Sequence, residues 1–212
     1  MQTVWFRILL SIMLLSFPPM IFSQNAVEKT QNYLKEIIEK SYPELKNEKI
    51  SVKTFKSDSS YFKSQFSVPR YLTFQKLNYT IFVNPEVYQR NAPETAVRAI
   101  LAHELAHVLY YKRKNRLELL GLVSLTDNSF NAKFERKTDL EAIARGYGEG
   151  LKMFREWLYQ NVPAKNLEAK KRDYFSPEEI DLMLEILQKN PAIIEVWRKR
   201  VPRNLKEISE IK

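Results

Sequence analysis

The alternation of apolar and polar positions divides the first half of the chain into helical and strand-like stretches. From Asn25 to about Ser41, apolar residues recur at helical spacing among charged ones, and Pro43 ends this pattern. Four later runs alternate in the manner of strands: residues 50–55, 61–68, 71–75 and 79–83. We expect the last two runs to form a hairpin that turns at residues 76–78.

The second half of the chain is predicted to be helical. One helix starts near Pro93 and continues to about Tyr111, and it is apolar on nearly every face, which is typical of a buried helix. A long helix is expected over residues 130–160, with glycines as weak points inside it. Ser176-Pro177-Glu178-Glu179 is a capping box that opens another helix, and a short helix follows Pro191. The pattern predicts an α+β fold with a small antiparallel sheet on a buried helix, followed by a helical C-terminal lobe.

The N-terminal segment, residues 1–23, has the pattern of an export signal. Arg7 precedes an apolar run from Ile8 to Phe17 that is too short to span a membrane. Ser23 is small enough to precede a cleavage site, and residues 24–212 have a length that fits one domain. We therefore expect an exported protein, periplasmic or secreted, with an uncleaved N-terminal membrane anchor as the alternative.

Composition narrows the chemistry that the chain can perform. It contains no cysteine, which excludes disulfide bonds, thiolate metal sites and a cysteine nucleophile. The net charge is +9, and basic residues cluster at positions 112–114, 170–172 and 198–200. No nucleic-acid-binding motif accompanies these clusters, so no nucleic acid partner is expected. Two interpretations stay open for them, namely peripheral contact with an anionic membrane or cell wall, and simple solvation of helix ends.

Both histidines of the chain belong to one motif, His103-Glu104-Leu105-Ala106-His107. Two histidines four residues apart lie on the same helical face, so their ring nitrogens can bind a single metal ion. Glu104 is then beside that ion, where its carboxylate can take a proton from an attacking water. The motif predicts a Zn²⁺ cofactor with His103 and His107 as ligands and Glu104 as the catalytic base. A pair of hydrogen-bonded core histidines is the alternative.

A third protein ligand for the metal must be a carboxylate, because cysteine is absent and both histidines are already used. The best candidates lie in the segment 134–141, where Glu135 and Asp139 are four residues apart on one helical face. One of them can bind the metal while the other orients a ligand histidine. Ordinary ion pairs with neighbouring basic residues are the alternative for these acids.

These motifs resemble those of the gluzincin metallopeptidases, most closely the HtpX-like and CAAX-prenyl-protease-like branch. In that branch the active-site helix carries HELAH or a near variant, and a later helix carries E-x-x-A-D. Residues 135–139 match the second motif with Thr138 in place of alanine. The resemblance covers about residues 70–150, and it implies a zincin-like fold with Glu135 as the third zinc ligand. Members of the branch are integral membrane proteases, whereas this sequence is similar to a soluble, exported relative.

The motif and the resemblance together predict a zinc metallopeptidase, an endopeptidase that acts on peptide or protein substrates. An extended substrate is expected to add a strand to the sheet edge at residues 71–75. The alternative is a catalytically silent zinc-binding protein or an interaction protein of the cell envelope. The oligomeric state does not follow from the sequence.

A zinc hydrolase also needs a donor that stabilises the oxyanion, and no third histidine is present to supply it. Tyr147 is the first candidate, because the glycines around it allow the chain to bend towards the cleft. Arg145 is the second candidate, and Tyr110 and Tyr111 follow. The alternative is that Tyr147 packs in the helical core and that Arg145 forms ion pairs with a nearby glutamate.

Overall fold

The computed structural model describes residues 18–115, 118–119 and 128–211. Within these residues the elements follow in this order: α1 (Pro18–Ser41), a 3-10 turn (Pro43–Leu45), β1 (Ile50–Thr54), β2 (Phe62–Phe66), α2 (Val68–Leu72), β3 (Tyr79–Val83), α3 (Glu86–Gln89), α4 (Glu94–Arg113), α5 (Asn128–Ala142), a π-helical turn (Ile143–Tyr147), α6 (Gly148–Asn161), α7 (Ala164–Asp173), α8 (Pro177–Lys189), α9 (Ile193–Lys199) and α10 (Leu205–Glu210). The fold is α+β and mostly helical, as predicted.

The expected export segment, residues 1–23, lies largely outside the described part of the chain, so its cleavage stays a prediction. Among the helices that the structure describes, none is both long and apolar enough to cross a membrane.

The three strands form a mixed sheet in the order β1-β3-β2. β2 pairs antiparallel with β3, whereas β1 pairs parallel with it. The prediction of an antiparallel sheet is therefore wrong for β1. The parallel pair arises because the chain leaves β1, enters β2 on the far side of the sheet, and returns through α2 to the central position. Three of the four predicted strand runs are confirmed as β1, β2 and β3.

The fourth predicted strand, residues 71–75, is wrong, and the hairpin built on it does not form. This segment belongs to α2 and the turn after it. Pro69 stands in the first turn of α2, where its fixed φ angle favours a helix. Leu72 and Phe74 are 65% and 82% exposed, so the apolar alternation that suggested a strand comes from surface side chains. β2 takes the place beside β3 that the hairpin was expected to fill.

Helix α4 lies at the centre of the fold, as its apolar composition predicts. Residues 96–109 are buried apart from Arg98, and α4 packs against α1, β2, α5 and α6. The Tyr42 hydroxyl donates a 2.7 Å hydrogen bond to the backbone oxygen of Ala102. On the α6 side, a Cβ atom at Gly150 would lie only 2.6 Å from the Thr95 oxygen, so only glycine permits this close approach of the two helices.

The predicted long helix over 130–160 is present in outline but is interrupted. The π-helical turn separates α5 from α6, and Gly146 within it has a φ angle of +88°, which glycine adopts without strain. The predicted capping box is confirmed, because Ser176 and Glu179 each accept a hydrogen bond from the other's backbone N–H. The helices α7 and α10 were not predicted. The interruption redirects α6 so that it packs along α4 beside α5.

Candidate metal centre

Three side chains on two helices bring potential metal-ligand atoms together. His103 and His107 lie on α4, and Glu135 lies on α5, which packs against α4. Their atoms His103 Nε2, His107 Nε2 and Glu135 Oε2 are each 3.1 Å from the other two. Ligands of a tetrahedral zinc ion at about 2.0–2.1 Å would be separated by roughly 3.3 Å, close to this spacing. The group could therefore hold a metal ion.

The electrostatic surroundings of these atoms also favour a cation. Burial lowers the pKa of His103, but Asp139 and Glu135 outweigh this effect and raise it to about 9. Burial raises the pKa of Glu135, but the two histidines outweigh it and hold that pKa well below its usual range. Carboxylates that stabilise a proton on a histidine also stabilise a metal cation that displaces the proton.

Asp139 supports His103 from the side opposite the ligand atom. Its Oδ1 lies 2.7 Å from His103 Nδ1 and accepts a 2.8 Å hydrogen bond from Arg155, while its Oδ2 accepts one from the Phe175 backbone N–H. Burial alone would raise the pKa of Asp139, but Arg155 and His103 hold it below its ordinary value. An ionised Asp139 keeps the proton of His103 on Nδ1, which leaves the Nε2 lone pair for a metal. The sequence predicts that one acid of this helix orients a histidine of the metal site, and Asp139 makes that contact with His103.

Thr138 contacts the second histidine in a similar position. Its hydroxyl donates to the Phe134 backbone oxygen at 2.9 Å, and its Oγ1 lies 3.4 Å from His107 Nδ1. Because the hydroxyl proton is already used, Oγ1 can only accept from His107, which orients that ring in the same sense. This threonine is the position where the sequence departs from E-x-x-A-D, and the departure gives His107 a polar contact that alanine could not make.

Glu104 is buried beside these ligand atoms, and no described residue forms an ion pair with it. Its Oε2 has no hydrogen-bond partner among the described residues. Burial raises the pKa of Glu104 above its ordinary value, although His107 and His103 oppose this. The Ser64 hydroxyl of β2 lies close enough to influence this pKa, yet Ser64 Oγ forms no hydrogen bond of normal geometry. A buried carboxyl oxygen without a partner is costly, which suggests that a ligand completes this side of the site.

A wall of the site that was not predicted is formed by Arg155, Lys170 and Tyr174. The Tyr174 ring centroid lies 5.9 Å from that of His103. The Arg155 guanidinium carbon lies 4.2 Å from the Tyr174 ring centroid, and Lys170 Nζ lies 5.5 Å from it. Burial, reinforced by the charges of Glu135 and Glu104, raises the pKa of Tyr174 well above its ordinary value. These three residues come from α6, α7 and the segment before α8, and no local motif marks them as a group.

Tyr147, the first candidate for the oxyanion donor, is not brought to this group by the structure. Its hydroxyl shares a 3.0 Å hydrogen bond with Ser41 Oγ at the end of α1. Arg145, the second candidate, pairs with Glu141 at 2.7 Å and with Glu44 at 2.8 Å. Both side chains therefore link the π-helical turn to α1 and to the 3-10 turn.

Tyr111, by contrast, lies against a histidine of the metal centre, whereas Tyr110 contacts this centre only through neighbouring aromatic rings. The Tyr111 ring stacks on the His107 ring at 6.2 Å, and burial, followed by the negative charge of Glu104, raises the pKa of Tyr111. Tyr110 packs edge-on against Phe134, which itself contacts His107.

Comparison with known proteins adds no relative. No protein-family model matches the chain, and no curated protein or solved structure matches it either. The function therefore has to be inferred from the site itself.

Proposed function

We propose that this protein is a zinc-dependent endopeptidase of the gluzincin type. The observation that carries this proposal is the position of Glu104, whose buried carboxyl lies beside three converging ligand atoms with one oxygen lacking a partner in the described chain. A structural zinc site normally has four protein ligands and no free carboxylate. Three ligands and a carboxylate next to them are the arrangement expected of a hydrolytic site.

Zinc is the metal that best fits the available ligands. Two imidazole nitrogens and one carboxylate oxygen are a common zinc set, and cysteine is absent from the chain. Zinc bound there would supply Lewis acidity, which makes water a better nucleophile and a carbonyl a better electrophile at neutral pH. His103, His107 and Glu135 would hold the ion, and Asp139 and Thr138 orient the two histidines.

The remaining steps belong to the side chains around the ligand atoms that do not orient the histidines. We call this group the cleft side; it consists of Glu104, Ser64, Lys170 and Tyr174. Glu104 accepts a proton as the oxygen of water bonds to the scissile carbonyl carbon, and it passes that proton to the leaving nitrogen as the C–N bond breaks. Tyr174 replaces Tyr147 as the donor to the carbonyl oxygen. Its ring lies beside His103, and the negative charges of Glu135 and Glu104 contribute to the raised pKa of its hydroxyl.

The substrate binds along β2 instead of residues 71–75. β2 is an edge strand, because it pairs only with β3 among the described residues. It also packs against α4, and its central residue Ser64 lies near Glu104. An extended peptide that pairs with the free edge of β2 would place its backbone beside the metal centre.

The test combines metal analysis with a peptide library. Purified protein is expected to contain one zinc per chain and to cleave peptides, with cleavage lost in EDTA and restored by zinc. Glu104→Gln should retain the zinc and lose activity by about 10²- to 10⁴-fold, because an amide cannot accept the proton. A wild-type protein that binds zinc but cleaves no peptide would instead favour a catalytically silent zinc-binding role.

A further inference from the structure

One cation at the wall of the metal centre, Lys170, is bonded differently from the cations around it. Lys170 on α7 is half-buried, and its ammonium group donates a long hydrogen bond of 3.4 Å to Ser60 Oγ. No carboxylate forms an ion pair with it among the described residues. Its neighbours differ, since Lys171 pairs with Glu168 and Arg172 pairs with Asp173. Of this basic cluster, Lys170 alone contacts the Tyr174 ring.

Arg155 is the second cation on the Tyr174 ring, and unlike Lys170 it has an acidic partner in the described part of the chain. Arg155 is buried, but it forms a 2.8 Å ion pair with Asp139. Lys170 has only a serine hydroxyl and an aromatic face, both of which replace water poorly around an ammonium group. Burial and the positive charge of Arg155 lower the pKa of Lys170, and the negative charges of Glu135, Asp173 and Glu104 oppose this without outweighing it. A negatively charged ligand next to Lys170 would compensate its positive charge and replace the water that burial removes.

We propose that Lys170 binds a carboxylate of the substrate close to the scissile bond, with Ser60 as a second donor. The inference rests on the proposed peptidase function and specifies its substrate class. In a peptide this carboxylate has two sources, the free C-terminus or the side chain of an aspartate or glutamate. Ser60 and Lys170 provide two donors 3.4 Å apart, which suits the two oxygens of one carboxylate.

The experiment measures binding, so that it does not depend on turnover. Four fluorescent peptides share one sequence and differ in two positions: a free or amidated C-terminus, and a glutamate or glutamine side chain. Their dissociation constants are measured by anisotropy on zinc-loaded Glu104→Gln protein and on the same protein carrying Lys170→Gln. Lys171→Gln is the matched control, because Lys171 is the adjacent, exposed lysine with its own partner.

A carboxylate-bearing peptide should bind about tenfold more tightly than its neutral counterpart, and Lys170→Gln should abolish that preference. Lys171→Gln should keep it, and Lys170→Arg should keep most of it. The pair of peptides that shows the preference identifies the source of the carboxylate. An equal preference in Lys170→Gln, no preference in the parent protein, or no binding of any peptide would each overturn the proposal. A preference that depends on Lys170 in a protein that cleaves nothing would refute the peptidase function alone.

Discussion

The two sides of the histidine pair differ in how well their polar groups are satisfied. On the supporting side, both oxygens of Asp139 are hydrogen-bonded, Thr138 has a partner, and Arg155 is paired, although its Nε atom has no partner among the described residues. On the cleft side, Glu104 Oε2 and Ser64 Oγ have no hydrogen-bond partner, and Lys170 has no ion pair with an acid, within the part of the chain that the structure describes. A folded protein retains such costly groups where a bound ligand satisfies them. The supporting side holds the histidines, and the cleft side is arranged for what they bind.

The largest effect is expected from breaking the supporting side at Asp139. Asp139→Ala leaves the buried charge of Arg155 without its partner, which should lower the free energy of unfolding by about 3–5 kcal/mol. It should also weaken zinc binding by about 10- to 100-fold, because His103 loses its acceptor. Urea unfolding and zinc titration measure the two effects. Asp181→Ala, which removes a partly exposed partner of Lys152, should lower the free energy of unfolding far less, because solvent screens that pair.

The second-largest effect tests which acidic residue of α5 is the metal ligand. Glu135→Ala should lower zinc affinity by roughly a thousandfold, about the share of one ligand in a total binding free energy of about 10–16 kcal/mol. Competition with a chelator of known affinity measures this. Glu141→Ala is the control, because Glu141 lies on the same α5 but pairs with Arg145 and Arg198. If Glu141→Ala proved the more damaging change, the assignment of ligands along α5 would be out of register.

On the cleft side, Tyr174→Phe should act on the transition state alone. We expect kcat to fall by about 10²- to 10³-fold while KM, zinc content and unfolding free energy stay nearly unchanged. The affinity of a phosphinic peptide, which carries a tetrahedral anion, should fall by a similar factor. Tyr111→Phe is the matched change on the other aromatic side chain, whose ring stacks on His107. A larger loss for Tyr111→Phe would transfer the donor role to α4.

The metal-ligand candidates and Asp139 could be predicted from the sequence, whereas the wall formed by Arg155, Lys170 and Tyr174 could not. His103 with His107, and Glu135 with Asp139, are pairs spaced four residues apart, so a single helical face brings each pair together whatever the rest of the fold does. Arg155, Lys170 and Tyr174 meet only because the π-helical turn redirects α6 and because α7 and the segment before α8 pack beside it. No local spacing encodes that meeting.

The sheet was partly predictable for a related reason. Alternation identified β1, β2 and β3 correctly, but it could not distinguish a half-buried strand from exposed apolar residues in α2 and the turn after it. The presence of Pro69 was the available signal that residues 68–72 begin a helix. Pairing order depends on tertiary packing, in which β2 contacts α4 and β1 contacts α1, and therefore the parallel β1–β3 pair had no signature in the sequence.

The smallest predicted effect distinguishes Tyr147, which links the π-helical turn to α1, from Tyr174, which lies at the metal centre. Tyr147 donates to or accepts from Ser41, and its neighbour Arg145 is held by Glu44 and Glu141. Tyr147→Phe should therefore lower the free energy of unfolding by about 0.5–1.5 kcal/mol, the usual value of one hydrogen bond. Zinc content, kcat and KM should not change, in contrast to Tyr174→Phe. Ser41→Ala, which removes the other partner of the same bond, should reproduce the small loss. A hundredfold fall in kcat for Tyr147→Phe, with stability intact, would return the donor role to Tyr147 and place the cleft on the opposite face of α5.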